Sequence, residues 1–77
     1  MNEWLAGRAD ALAENAGVSR DALELSSHEV ELLLDVAGFA AHESGARTNA
    51  PLLCYLLGVA HGAKGLDELV EIARSTS

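Results

Sequence analysis

The sequence predicts an all-α fold, a small four-helix bundle-like domain whose two central helices are strongly apolar. Three observations carry that expectation. Ala and Leu together make up more than a third of the 77 residues, and both are strong helix formers. β-branched residues are few, and no stretch alternates apolar and polar positions for long enough to read as a half-buried strand. Apolar residues instead recur at three- and four-residue spacings between recognisable caps. The length allows a single helical domain, residues 1–77.

The first helix is expected from about Asn2 to Ala16, with Asn2 as cap and Leu5, Ala9, Leu12 and Ala16 on one face. Gly17 suits its end, because glycine enters the left-handed region without a Cβ penalty. Ser19 opens a short helical turn through about Leu23. Ser26-Ser27-His28-Glu29 reads as a capping box for a second long helix that ends near Ser44-Gly45. Val30, Leu32, Leu33, Leu34, Val36, Ala37, Phe39, Ala40 and Ala41 cover most of its circumference, which marks a central helix. A third helix, capped by Asn49 and with Pro51 in its first turn, runs to about His61 without a charged residue and is expected to be buried. Gly58 and Gly62 at i,i+4 would let another helix approach its backbone. The last helix, about Leu66 to Arg74, turns Leu66, Leu69, Val70 and Ala73 inward and has acids at its start and Arg74 at its end, as the helix dipole favours.

Five Lys and Arg against twelve Asp and Glu leave a net charge of −7. All of it lies in residues 1–43, and residues 44–77 balance to zero. An acidic surface repels phosphate backbones and anionic lipid, so neither nucleic acid nor membrane is an expected partner. The N-terminal residues show no basic segment followed by an apolar core, and the longest apolar stretch, residues 52–60, is far below the roughly 20 residues a spanning helix needs. The single cysteine, Cys54, leaves no intrachain disulfide. A cytoplasmic protein is the expectation. A chain this short buries only about 60–65% of its unfolded surface, so a homodimer is expected to complete its apolar packing.

Several patterns are candidates for chemistry. Residues 12–19 with Leu23 resemble the middle of a helix-turn-helix, but the segment in the recognition position offers only Arg20 among acids. His28, Glu31, Asp35 and His42 lie within about 60° on the second helix. Asp35 and His42 are two turns apart, too far to share one ion, and the stripe reads better as a solvated edge. Gly58 to Gly65 lacks the Gly-Lys-Ser/Thr ending of a phosphate loop and follows a helix. Cys54 reads as a core thiol and His61 as a satisfied, partly buried histidine. No catalytic residue, metal set or cofactor is assigned.

Leu33-Leu34-Asp35-Val36-Ala37, then Ala41-His42, Arg47, Ala50-Pro51-Leu52, Gly58 and Gly62, resembles a small actinobacterial helical family of unknown function. Its members occur alone or joined to the molybdenum-cofactor guanylyltransferase, and are often named molybdopterin-guanine dinucleotide biosynthesis proteins. The likeness covers roughly residues 30–62 together with Trp4. Asp35, His42, Arg47 and Pro51 take the places of the family's Leu-Asp, Ala-His and Arg-to-Ala-Pro-Leu pattern. Thr48 stands where proline is common, and Leu53 and Cys54 where threonines are.

The resemblance implies a setting in molybdenum-cofactor biosynthesis, where the favoured expectation is a helical accessory or interaction domain rather than an enzyme, contacting the guanylyltransferase or a cofactor carrier. A rival reading is a small ligand-binding protein or enzyme using Asp35, His42 and Arg47. There, His42 at a helix end and Arg47 after it would receive an anionic group, since the guanidinium fork binds paired oxygens. Alternatively, Arg47 caps the carbonyls that end the second helix and His42 bonds the loop backbone. A DNA-binding regulator is the third reading.

Overall fold

The computed structural model describes residues 1–75, which form four α-helices, one 3-10 turn and no strand. They fall into two units, residues 1–30 and the residues from Glu31 onward.

In the first unit, the Asn2 side chain accepts the Leu5 backbone N–H at 2.8 Å and starts α1, Glu3–Ala16. Gly17 ends it at φ 70°, and the N–H groups of Gly17 and Val18 both reach the Ala13 carbonyl. That geometry satisfies a carbonyl the helix end would otherwise leave open. The short helical turn expected after Ser19 is a 3-10 turn, Arg20–Leu23, packed against α1. Arg20 fastens the two: its Nε donates to Asp10 Oδ1 at 2.6 Å and its Nη1 to Glu24 Oε2 at 3.0 Å. The expected apolar stripe of α1 is only partly covered. Ala9 is buried and Leu5 half-buried, while Leu12 is 58% exposed, because a one-turn element is too short to span the whole face.

The capping box forms as expected. Ser26 Oγ accepts the Glu29 N–H at 3.1 Å and Glu29 Oε1 accepts the Ser26 N–H at 2.8 Å, opening α2, Ser27–Ser44.

In the second unit, α2 closes at Ser44, whose hydroxyl donates to the Ala40 carbonyl, and Gly45 reverses the chain at φ 72°. Next comes α3, Asn49–Ala60. Asn49 is its first helical residue and not its cap. Thr48 already has helical dihedrals, and the carbonyls of Ala46 and Arg47 take the N–H groups of Asn49 and Ala50 directly. Pro51 is the third helical residue, where no intrahelical N–H bond is lost. After a turn, α4 runs Leu66–Ser75.

One core joins these three helices. Val36 of α2, Leu57 of α3, and Leu66, Leu69 and Val70 of α4 are buried, with Leu32, Leu33, Leu53, Cys54 and Ala73 packed against them. Each fully buried aliphatic side chain contributes about 1.5–3 kcal/mol. The two apolar helices are thus central to this core, but α3 is not buried all round. It turns Leu53, Cys54 and Leu57 inward and leaves Leu52, Tyr55, Leu56 and Val59 exposed. Nor does a neighbour approach at Gly58 or Gly62, since a Cβ at either would meet open space.

Candidate functional site

Asp35, two turns before His42 on α2, is held by α4: Arg74 Nη1 stands 3.8 Å from its Oδ2. The same guanidinium lies over the Phe39 ring, 5.0 Å from its centre, so Arg74 bridges two residues one turn apart on α2. At this distance and exposure the ion pair contributes little to stability. The sequence assigns Arg74 only a dipole role in its own helix. Its partners lie far away in sequence, and no local pattern connects them.

His42 and Arg47 are both exposed, and among the described residues neither makes a hydrogen bond or ion pair through its side chain. The end of α2 is closed without them, by Ser44 and Gly45. Arg47 therefore does not cap α2, and His42 does not bond the loop. His28, Glu31 and Asp35 are exposed as well, in agreement with a solvated edge. Among the described residues no three His, Cys, Asp or Glu side chains are grouped to hold a metal ion.

The remaining candidates resolve locally. Arg20, the base of the helix-turn-helix reading, is engaged by Asp10 and Glu24, which favour its charged form and raise its pKa further. Residues 20–23 form a single 3-10 turn, too short to lie along a groove as a recognition helix. Cys54 is half-buried with its Sγ 3.9 Å from the Leu33 carbonyl, and burial pushes the thiol pKa up, the opposite of an activated nucleophile. His61 is exposed and not partly buried, because it lies past the end of α3 in a surface turn, where its Nδ1 is 3.2 Å from the Lys64 carbonyl.

The feature that composition did not reveal is the outward face of α3. Leu52, Tyr55, Leu56 and Val59 are 61%, 71%, 61% and 65% exposed, at i, i+3, i+4 and i+7. At about 100° per residue, this stripe points about 150° away from the core-facing Leu53, Cys54 and Leu57. It continues into a groove of ≈ 470 Å³ lined by Phe39, Leu52, Leu53, Leu56 and Ala73, with Glu43 and Asn49 among its polar groups. The spacing itself is readable from sequence. What hides the face is the absence of any charge on α3, since charged residues normally mark the solvent side of a helix.

Among the described residues no helix is long and apolar enough to cross a membrane. Neither a curated protein nor a solved structure matches the chain. A family model does match, over residues 1–77, and the chain belongs to that family, described as Domain of unknown function (DUF6457).

Proposed function

We propose that the protein is a non-catalytic accessory domain that works by binding other protein chains. The observation that carries this reading is the outward face of α3, four large apolar side chains in helical register with no charge among them. A monomer seldom leaves a contiguous apolar patch of more than a few hundred Å² open to water, and such patches are usually interaction sites. The biosynthetic setting rests on the resemblance of Asp35, His42, Arg47 and residues 50–52 to the helical family linked to molybdenum-cofactor guanylylation. The partners proposed are the guanylyltransferase and a second copy of the chain, met in the cytoplasm.

Affinity purification from the native cell tests this. The wild-type chain should retain the guanylyltransferase, and Tyr55→Glu, at an exposed position, should lose it while keeping its helical circular dichroism. Failure of the wild type to retain that enzyme would remove the proposed setting. A thermal shift with a pterin or nucleotide that disappears in Arg47→Ala would favour the ligand-binding reading instead.

A further inference from the structure

The inward side of α2 ends in a carboxylate. At about 100° per residue, Glu43 lies within about 20° of both Leu32, which packs against the core, and Val36, which is sealed in it. An apolar residue is the ordinary occupant of such a position. After Ala40 the core opens into the groove of ≈ 470 Å³, with Glu43 and Asn49 at the end where α2 gives way to α3. Asn49 is placed similarly, four and seven residues before Leu53 and Leu56. Among the described residues neither polar side chain has a hydrogen bond or ion pair. The bases nearby do not neutralise Glu43. Arg74 is turned to Asp35, one turn before Phe39 where Glu43 is one turn after it, and Arg47 forms no ion pair.

These features define what fits. Leu52 and Leu56 belong both to the groove and to the outward stripe of α3, so one occupant can cover the two together. From Asn49 to Leu56 the helix rises about 10 Å, the length of two helical turns. An extended occupant would set unpaired backbone groups against apolar walls, and the described residues include no strand edge to receive them. A helix satisfies its own. A wholly apolar helix would cover the Glu43 carboxylate without a counter-charge, and an acidic one would repel it. A base at that end supplies the missing charge, while its alkyl stem lies along the apolar wall. The net charge of −7 attracts such a segment from a distance.

We propose that the groove between α2 and α3 receives an amphipathic helix of a partner protein, with two large apolar residues against Leu52 and Leu56 and a Lys or Arg one turn further along, against Glu43. This rests on the reading of the α3 face as a protein-binding surface and names the chemistry of the segment bound there.

A display library of helical peptides, randomised along one face and selected against the full chain, tests it. The wild type should enrich peptides with Lys or Arg one turn from two large apolar residues. Glu43→Lys, at an exposed position and judged folded by circular dichroism, should enrich Asp or Glu there instead. By fluorescence anisotropy, the best wild-type binder should lose at least about tenfold in affinity for Glu43→Lys. Glu31→Lys, on the solvated edge of α2, changes the net charge equally and should shift that affinity by less than about threefold. No enrichment, winners without a base, or equal losses in the two variants would overturn the proposal. Self-association of the chain that Leu56→Glu abolishes would give the groove to a second copy and overturn it too. Capture of the guanylyltransferase that is lost in Tyr55→Glu but kept in Glu43→Lys would overturn it and leave the accessory reading standing.

Discussion

Val36→Ala is the most direct probe of how the second unit holds together. Val36 is 0% exposed and is the largest side chain of the core to be sealed completely. The substitution removes two methyl groups, worth about 1.6 kcal/mol at about 0.8 kcal/mol each. It also leaves roughly 50 Å³ between α2, α3 and α4, which adds about 1 kcal/mol if the helices do not collapse inward. A loss of about 2–3 kcal/mol is a large part of the roughly 4–12 kcal/mol available to a chain of this size. It should appear in urea unfolding as a lower midpoint at unchanged slope, and in heating as a drop of about 10–20 °C. Leu34→Ala is the control. It stands two residues away on the same helix but is 69% exposed, so its effect should remain within about 0.5 kcal/mol. If the two variants unfold alike, α2 does not pack through the face assigned to it.

Two further outcomes follow from local geometry. Gly45→Ala should cost about 1 kcal/mol, because φ 72° is strained for alanine, whereas Gly58→Ala, in the exposed interior of α3 with open space at Cβ, should gain about 0.5–1 kcal/mol; melting curves that move in the same direction would refute the assignment. The Cys54 thiol should alkylate slowly near neutral pH, since burial disfavours the thiolate, and its rate should rise through a midpoint above the usual thiol range; a midpoint at or below about 8.5 would show the sulfur to be solvated.

The helix ends are the most legible part of the sequence, because capping is a negotiation among neighbours. Asn2 and Leu5, Ser26 and Glu29, and Gly17 and Gly45 act across at most a few residues, so residue type and spacing suffice. The one cap that the structure moves, Asn49, fits the same account. No extended residue stands at the start of α3, and the preceding turn supplies the acceptors instead. Arg20 cannot be assigned this way, since Asp10 lies ten residues earlier on a different element.

Burial direction is less legible, and α3 shows the physical reason. Hydrophobic periodicity reports contrast between faces, and a helix with no charge has little contrast to report. Both the stripe of Leu53, Cys54 and Leu57 and the stripe of Leu52, Tyr55, Leu56 and Val59 are good helix-packing surfaces, so the sequence supports two partners for α3. The fold provides one, the core shared with α2 and α4. The second stripe remains as surface with nothing in its own unit to cover it. The polar triplet illustrates the converse. Asp35, His42 and Arg47 are conspicuous because polar residues interrupt apolar helices, yet the contact that forms is between Asp35 and Arg74. In a chain this small, unusual apolarity on the outside is therefore the stronger pointer to function than polarity near the helix ends, because water penalises exposed apolar area and charges a solvated polar residue almost nothing.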